Sequence, residues 1–495
     1  MIYSAPPLID WSVIMPIVVV SLGGVIALML EMFRPKANNM LIVWTSVMTL
    51  VVAAIAVVVQ FPLPASDTFA KMAYRDQFGL LLQGAIVLST LLVVIFSEAY
   101  LRAKRIPFAE FYPLALWSAA GAMIMVSTKN LLMIFVGLEV LSIALYVMAG
   151  MSKKEMKSEE SAIKYFLLGA FASAFMLFGI AYVFGATGSL HLDAVAAASG
   201  TLSSGFQVAL IFGITMMLVG LMFKSAFAPF HQWTPDVYQG APTNVTAFMA
   251  SVSKIAAIGT LFRVLSSVMP LNNYFIPLLS AVAILTMVVG NFVALGQKDV
   301  KRILGYSSIA NAGYLLVAVI AHLKSPETVS TTTTVYYLIS YALMTVGAFA
   351  VLTVLAKRGQ ESTDLKDLRG LMRRDPVAGS TLLVLIVSMM GIPPFAGFMG
   401  KLQIFFDAIN AQLLPLAVVL ALSSVAGLFY YGGILKAACM DDADEQGGVS
   451  QSLPESARFA ALMCTLAILA LSFAVTPARN FIEGSKADQT LTAQR

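Results

Sequence analysis

The chain has 495 residues, of which 59% are hydrophobic and only 12% charged, with a formal net charge of +5. A soluble domain carries about twice this charged fraction, so the composition excludes an ordinary water-soluble protein and indicates a polytopic membrane protein. The basic residues are scattered over short links and form no cluster, which argues against nucleic acid as a partner.

Ligands for metal and redox chemistry are scarce in this sequence. The two cysteines, Cys439 and Cys464, have no metal-ligand spacing, and the histidines are His191, His231 and His322. We therefore expect no iron–sulfur, haem or zinc centre held by this chain alone and, with no glycine-rich nucleotide loop, no cofactor on it. The first apolar run is long enough to span and lacks a basic leader, so no cleavable signal is expected.

Fourteen apolar runs are long enough to cross a bilayer, because a hydrocarbon core of about 30 Å requires about 20 helical residues. They cover residues 11–31, 40–60, 78–98, 109–127, 129–150, 161–185, 207–231, 243–265, 274–296, 303–322, 334–356, 379–410, 412–437 and 457–475. The twelfth contains GIPPFAGF, at 391–398, and is predicted to be a broken helix. The expected fold is an all-α polytopic membrane protein of about 14 transmembrane helices.

The lysines and arginines of the links predict the orientation, since cytoplasmic loops carry an excess of both. Links after odd-numbered runs hold eighteen of them, whereas the other links and the termini together hold eight. Both termini are therefore expected on the side away from the cytoplasm, as an even number of helices requires.

Two pairs of similar segments within the chain predict an inverted repeat. The seventh run ends in APFHQW and the twelfth contains PPFAGF, while the stretches 164–183 and 335–355 share paired aromatics and small-residue spacing. An offset of five helices inverts the second unit, and inverted repeats with broken helices build midplane sites in transporters. The predicted units are an N-terminal three-helix segment at 1–108, five-helix repeats at 109–265 and 266–437, and a C-terminal helix and tail at 438–495.

Few ionisable side chains lie inside the predicted spans. Glu139 is near the middle of the fifth, Lys224 lies within the seventh and Lys254 is central in the eighth. A charge at this depth costs several kcal/mol, about 2.5–3.5 on insertion scales, which makes each a functional candidate. The alternative for the lysines is snorkelling to an interface, for which Lys254 is too deep.

We expect Glu139 to be the partner of Lys224, because a buried carboxylate and a buried ammonium are tolerable as a pair. The distance between them would then decide whether the lysine keeps its proton, which is the switch that a pump needs. The alternative is a static ion pair that only orders helix packing.

Three further residues are candidates for a proton path. His231 is able to pass a proton because its unperturbed pKa lies near neutrality, although a hydrogen-bonded cap near the cytoplasmic end of the seventh run is the alternative. Lys164 is a candidate relay close to the interface, where snorkelling is the equal alternative. Lys401 follows the break in the twelfth run, and Asp407 is read as interface polarity.

The prolines at the two breaks predict hydrated cavities. Pro229, Pro393 and Pro394 cannot donate backbone hydrogen bonds and clash with the preceding helical turn. The carbonyls that they free at membrane depth require protein or water partners. Water at both points would link lysines that are too far apart to touch.

With these residues in place, the chain resembles the antiporter-like membrane subunits of respiratory complex I. The resemblance covers essentially the whole chain and rests on Glu139, on FKSAFAPFHQWTPDVYQGAPT at 223–243, on Lys254 and on GIPPFAGFMGK at 391–401. The segment 224–243 is highly specific for the superfamily, which also includes Mrp-type antiporters. A lysine at 401, where M-type members typically have a glutamate, and the lack of the lateral extension of L-type members make it most similar to the N-type members.

The resemblance implies a proton-pumping module of the bacterial inner membrane that has no redox centre of its own. Electrons would pass from NADH through FMN and iron–sulfur clusters to a quinone such as ubiquinone in partner subunits, and subunits M, K and J are the expected neighbours. It also implies that Glu139 and Lys224 are the modulating pair, that Lys254 is the central relay, and that Lys401 faces the outer half-channel with His231 as a bridge.

Three rival functions remain open at this stage. The first is a subunit of an Mrp-type cation/proton antiporter, and the second is an antiporter-like subunit of a membrane hydrogenase or formate-linked arm. The third is a structural scaffold, which the cost of the buried charges argues against.

Overall fold

The structure, a computed structural model, describes residues 9–33, 40–106, 109–357, 360–442, 453–476 and 480. Helices α1 to α5 are Trp11–Phe33, Met40–Gln60, Gln77–Lys104, Phe111–Val126 and Leu131–Ala149. Helices α6 to α11 are Met156–Thr187, Leu192–Ser199, Ser204–Ser225, Trp233–Gly240, Thr243–Phe248 and Lys254–Ser267. Helices α12 to α17 are Asn272–Ala294, Val300–Lys324, Thr332–Leu352, Leu371–Arg374, Pro376–Met390 and Ala396–Asn410, followed by α18 at Leu414–Leu435 and α19 at Glu455–Phe473.

Short irregular segments complete the described chain. Met249–Ser253 and Lys436–Met440 are π-helical, and Met269–Leu271, Thr353–Leu355 and Leu365–Leu368 are 3₁₀ turns. Two antiparallel hairpins pair β1, Ser66–Thr68, with β2, Ala73–Arg75, and β3, Ala356–Lys357, with β4, Gln360–Glu361.

The predicted all-α membrane fold is confirmed. Within the described residues, twelve helical segments are long and apolar enough to cross a membrane, and α4 and α16 are shorter apolar helices. Each of the fourteen predicted runs coincides with one of these crossings, and α16 and α17 together form the broken twelfth. The limits of the two predicted repeats stay predictions, and residues 1, 108 and 495, which bound the terminal units, lie outside the described part.

Several helices begin where a polar side chain precedes an apolar run. The side chain of Asp76 accepts from the backbone N–H of Gly79, and that of Asn130 accepts from two N–H groups at the start of α5. Asp299 and Asp375 cap α13 and α16 in the same way. Such caps satisfy N–H groups that have no partner inside the helix.

Both broken helices end their first half at a residue in the left-handed conformation. At Ala226 φ is +63° and at Gly391 it is +81°, and the N–H of each bonds to carbonyls three and four residues earlier. The peptide bonds Ala228–Pro229 and Pro393–Pro394 are cis. The second halves begin at Trp233 and Ala396.

The predicted helical run 207–231 is therefore too long at its end. Helix α8 stops at Ser225, so Lys224 lies in its last turn and Pro229 lies in the connecting turn. Proline at 229 lacks an N–H and disfavours helical geometry at 228, which prevents the helix from continuing. The apolar character of the sequence persists beyond the point where the helix ends.

Three crossings form the centre of the bundle. The span Thr243–Ser267 is completely enclosed by the other helices, and α13 and α14 are almost as fully buried. By contrast, α1, α2, α6, α12, α18 and α19 leave more than half of their residues outside the packed interior. Lys254 therefore lies on the most protected crossing of the chain.

A buried ion pair fixes the ends of α3 and α11 to each other. The guanidinium of Arg263 donates two hydrogen bonds of 2.8 Å to the Asp76 carboxylate and a third, of 2.9 Å, to the carbonyl of Val126. We expect Asp76→Asn to destabilise the folded chain by about 3–5 kcal/mol, because it leaves a buried guanidinium uncompensated. Thermal unfolding of the purified protein in detergent measures the effect.

The matched control is Asp442→Asn, because Asp442 pairs with Arg373 on the surface with both side chains about 70% exposed. An exposed pair of this kind contributes about 0–1 kcal/mol, so this variant should unfold as the unmodified chain does. Equal unfolding temperatures for the two variants would contradict the role of the Asp76–Arg263 pair.

Candidate proton-transfer site

Three lysines that are almost inaccessible to solvent lie in the interior of the bundle. Lys224 is in the last turn of α8, Lys254 is the first residue of α11, and Lys401 is in the second turn of α17. Their exposed fractions are 2%, 2% and 6%. All three belong to the set predicted from the sequence, and none reaches an interface by snorkelling.

Hydroxyl groups hold the ammonium of Lys224. Its Nζ donates to the Ser142 hydroxyl at 2.7 Å and to the Tyr165 hydroxyl at 2.9 Å, and it lies 5.1 Å and 5.9 Å from the ring centroids of Tyr165 and Tyr146. Aromatic faces attract cations at this range. The site thus stabilises a positive charge with groups that are themselves neutral.

Glu139 and Lys224 make no direct contact, and the predicted partnership of their charges stays a prediction. No ion pair within 4.0 Å joins them, and Oε1 of Glu139 is buried without a hydrogen-bond partner among the described residues. Ser142 follows Glu139 by one turn of α5, so both side chains lie on the same side of that helix. The Lys224 ammonium donates to the Ser142 and Tyr165 hydroxyls, and the Glu139 carboxylate lies one turn of α5 away from Ser142.

Lys254 contacts the end of α8 directly. It follows the π-helical segment Met249–Ser253, and its Nζ donates to the carbonyl of Ser308 at 2.6 Å and to that of Ser225 at 3.2 Å. Ser225 is the residue next to Lys224, so the structure brings these two lysines to the same helix end. Terminal carbonyls of a helix attract a cation.

Lys401 has a matching position in the second broken helix. Its Nζ donates to the carbonyls of Met389 and Met390, the last residues of α16, at 2.8 and 3.3 Å, and lies 5.3 Å from the Tyr314 ring centroid. In each break, therefore, a lysine from a following helix binds the carbonyl end of the first half. The predicted break at 391–398 creates this carbonyl end.

A chain of polar side chains lies between the helices that carry Lys254 and Lys401. Ser307 and Asn311 are one turn apart on α13, Tyr431 of α18 hydrogen-bonds Ser307, and Tyr337 of α14 donates to the amide oxygen of Asn311 at 2.5 Å. A second set joins Asn291 to the hydroxyls of Tyr314 and Tyr430 at 3.2 and 3.1 Å. Tyr314 is the residue whose ring faces Lys401.

Sequence reasoning missed most of this network. Asn311 is not among the candidates predicted from the sequence, although its spacing from Ser307 places both on one helix face. The tyrosines are common in apolar helices, and their convergence depends on packing between α13, α14 and α18. The sequence contains no local signal for that convergence.

His231 and Lys164 do not join the central lysines. His231 is half-buried in the turn between α8 and α9, and its Nδ1 has no hydrogen-bond partner among the described residues. Lys164 is 40% exposed and pairs with Glu160 at 2.6 Å and Asp236 at 2.7 Å. Arg302 also binds Asp236, which makes Lys164 part of a surface charge network.

The cavity beside Pro229 differs from the expected hydrated chamber. It has a volume of about 440 Å³ and is lined mainly by apolar and aromatic side chains, including Leu168, Phe171, Phe175 and Phe230. Water in a cavity requires several polar partners, so we place no water path there. Pro393 and Pro394 are exposed at the other break.

None of the three central lysines has a carboxylate within 4.0 Å in the described part of the chain. Two other buried lysines, Lys104 and Lys301, do lie within that distance of glutamates. No group of three His, Cys, Asp or Glu side chains that could hold a metal ion occurs among the described residues. The site therefore offers proton-exchanging groups in a protected interior.

A family model described as NADH:quinone oxidoreductase/Mrp antiporter, transmembrane, matches residues 128–427, the part that carries both breaks and all three lysines. The chain belongs to this antiporter-like family. A curated relative, NADH-quinone oxidoreductase subunit N of Trichlorobacter lovleyi, is 38% identical over 424 residues, which are 86% of this chain and 86% of the relative.

Solved structures of antiporter-like proteins share the fold. A chain of respiratory complex I from Thermus thermophilus with bound aureothin is 33% identical, with a TM-score of 0.79, and the match covers 94% of this chain and 98% of that one. A chain of the Mrp complex from Dietzia sp. has a TM-score of 0.84 at 19% identity, covering 97% of this chain and 98% of that one. The likeness to the Mrp chain concerns the fold alone.

Proposed function

We propose that this chain is a proton-translocating membrane subunit of NADH:quinone oxidoreductase, respiratory complex I. Relatives named as subunit N of that enzyme, at 38–40% identity over most of the chain, support this function over that of an Mrp-type antiporter. Electron transfer from NADH to quinone would take place in other subunits, which hold the FMN, iron–sulfur clusters and quinone. The chain itself would move protons.

The observation that carries the proposal is the set of three buried lysines, none of which has a carboxylate within 4.0 Å among the described residues. A static structural role would favour a close ion pair, because an unpaired charge in the membrane interior is costly. A lysine whose ammonium donates to hydroxyls and carbonyls is able both to bind a proton and to release it. An arginine cannot release its proton. All three lysines are buried in the interior of the bundle.

The proposed path runs from Lys224 to Lys254 and on to Lys401. Lys224 and Lys254 meet at Ser225, and a proton would pass between them through hydroxyl groups and water. From Lys254 the Ser307, Tyr337 and Tyr431 hydroxyls lead towards Lys401 on the outer side. Glu139, one turn from Ser142, modulates Lys224 through its charge.

His231 and Lys164 have peripheral parts in this proposal. His231 would exchange protons with the cytoplasmic side near the end of α8, consistent with its half-buried position. Lys164 would fix α9 through Asp236. We assign Pro229, Pro393 and Pro394 to the formation of the two helix breaks.

The proposed setting is the inner membrane of a bacterium, with the lipid bilayer around the chain and both termini on the periplasmic side. Antiporter-like subunit M and the small subunits K and J are the proposed neighbours. The excess of basic residues in the links after odd-numbered spans supports this orientation.

Removing the charge of Glu139 tests the proposal. Proton transfer by a positioned group contributes about 10²–10⁴-fold to a rate, so we expect Glu139→Gln to lower proton pumping by about tenfold or more while the complex still assembles. Glu139→Asp should be milder because it keeps the charge. Pumping by vesicles during NADH oxidation, normalised to assembled complex on native gels, is the measurement.

The double change Glu139→Gln with Lys224→Met separates switching from static charge balance. It removes both buried charges, so a static pair predicts restored pumping, whereas we expect restored assembly at most. Glu160→Gln is the control, because Glu160 is an exposed glutamate on α6. A double variant that pumps as the unmodified complex does would refute the switching role.

A further inference from the structure

Two buried lysines outside the proposed path face a single glutamate. Glu361, in the strand that follows α14, lies 3.7 Å from Nζ of Lys104 and 3.8 Å from Nζ of Lys301. The side chains of the three are at most 5% exposed. Lys104 ends α3 and Lys301 is the second residue of α13, so one loop carboxylate joins two helix ends.

Glu361, Tyr100 and Lys301 hold the joint between α9 and α10, and Lys104 acts on it only through Glu361. The carboxylate of Glu361 accepts from the Thr243 hydroxyl at 2.5 Å and from the Tyr100 hydroxyl at 2.9 Å. The Tyr100 oxygen in turn accepts from the backbone N–H of Thr243 at 2.9 Å. Lys301 donates to the carbonyl of Ala241 at 2.6 Å.

These contacts satisfy backbone groups that the joint cannot satisfy itself. Pro242 has no N–H, and the first N–H groups of a helix have no partner within it. Ala241 follows the last residue of α9, and Thr243 begins α10. Both sides of the joint are therefore held from outside, by residues from α3, α13 and the loop after α14.

The joint connects two elements that meet at Ser308. Tyr238 of α9 lies with its hydroxyl 3.4 Å from the Ser308 hydroxyl, and Lys254, beyond α10 and the π segment, donates to the Ser308 carbonyl at 2.6 Å. A shift at the joint would change the position of Tyr238 relative to Lys254. The proposed relay therefore depends on the geometry of a two-helix connection.

The negative charge of Glu361 stabilises the joint at neutral pH. Burial alone raises the pKa of Glu361, but Lys301, Lys104 and the hydrogen bonds from Thr243 and Tyr100 outweigh it and leave that pKa below its ordinary value. Glu361 is thus ionised at neutral pH, and Glu155 is a second partner of Lys104. Loss of the Glu361 charge would leave the buried Lys301 ammonium without a carboxylate within 4.0 Å among the described residues.

We infer that Glu361, with Lys104 and Lys301, is a positioning clamp on the joint between α9 and α10 that keeps Lys254 at Ser308 during proton transfer. The inference rests on the proposed function. The backbone bonds from Val300 to Thr363 and from Leu365 to Lys298 attach the clamp's loop to the start of α13. The loop after α14 thus acts on the connection between the second half of the first broken helix and the crossing that carries Lys254.

The first test removes the clamp's hydrogen bonds that involve the Thr243 and Tyr100 hydroxyls and leaves every charge in place. A small misplacement of a reacting group costs up to about a hundredfold in rate, so we expect Thr243→Val with Tyr100→Phe to lower pumping per assembled complex about tenfold. The KM for quinone should not change, because quinone binds in other subunits. Unchanged pumping at normal assembly would overturn the clamp.

A second pair of variants separates positioning from charge balance. Glu361→Gln should lower pumping per assembled complex, and the neutral double variant Glu361→Gln with Lys301→Met should stay low because the Ala241 carbonyl has lost the Lys301 donor. Full recovery in the double variant would show that charge balance alone matters and would overturn the inference. Asp364→Asn is the control, because Asp364 lies in the same loop but its side chain is 49% exposed.

Lys254→Met distinguishes failure of the clamp from failure of the proposed function. If Lys254→Met blocks pumping while the Thr243 and Tyr100 variants pump normally, only the clamp is wrong. If Lys254→Met itself pumps normally, the proposed function fails.

Discussion

Replacing Lys254 by methionine is expected to reduce proton pumping by about a hundredfold, within the range of about 10²–10⁴ for loss of a positioned proton-transfer group. Methionine fills a similar volume and removes a buried charge, so the fold should persist. Lys254→Arg should also fail, because a guanidinium keeps its proton. Pumping is measured in vesicles alongside assembly on native gels.

The matched control is Lys366→Met, because the Lys366 side chain is 66% exposed and forms a surface pair with Asp364. It should pump as the unmodified complex does. Full pumping by Lys254→Arg would be incompatible with a proton that leaves the side chain at residue 254, and a purely electrostatic role would then explain the lysine.

The second large effect that we expect concerns labelling at the second helix break, which should be accessible from the outer face of the membrane. A cysteine at Phe398, in a background with Cys439 and Cys464 replaced, should react with a membrane-impermeant thiol reagent from the outer face and poorly from the cytoplasmic face. Gly400 is unsuitable for this purpose, because a side chain there would lie 2.3 Å from the Tyr337 ring. Phe398 is only partly buried.

Straightening the break should close this access. Pro393→Ala with Pro394→Ala permits a continuous helix, so labelling at residue 398 and pumping should both fall, and Lys401 would lose the carbonyl end of α16. A cysteine at Asp364 controls for sidedness and should react from the cytoplasmic face. Equal labelling of residue 398 from both faces, or from neither, would show that Lys401 does not lie in a half-channel open to the outer face.

Hydrophobicity and proline positions were sufficient to predict the fold, because each crossing needs about 20 apolar residues and each break contains proline. The end of α8 was not predictable, because Ala226 adopts a left-handed conformation that nothing local to its sequence favours. At Gly391 the left-handed conformation is adopted by a glycine, which has no Cβ to oppose it.

The candidate site was predictable only in part. Depth in an apolar run identified Lys224, Lys254 and Lys401, because the cost of burial applies wherever the chain folds. Their partners were not predictable, since Ser142 and Tyr165 are 82 and 59 residues away from Lys224.

The burial of charged residues in the loops was the feature least predictable from the sequence. Lys104 and Lys301 were counted as orientation signals in links, and Glu361 was not considered at all. Their burial arises because the loop after α14 folds onto the joint between α9 and α10, 118 residues away from Glu361 along the chain. A pattern of apolar runs contains no information on which loop residues become buried.

Proton flux through the assembled complex tests the central claim most directly. In vesicles oxidising NADH, proton uptake per assembled complex should be compared between the unmodified chain and one with Lys224, Lys254 and Lys401 all changed to methionine. We predict a fall in flux of about a hundredfold, at least as large as that of any single change. Unchanged flux with normal assembly would contradict proton transfer through these lysines.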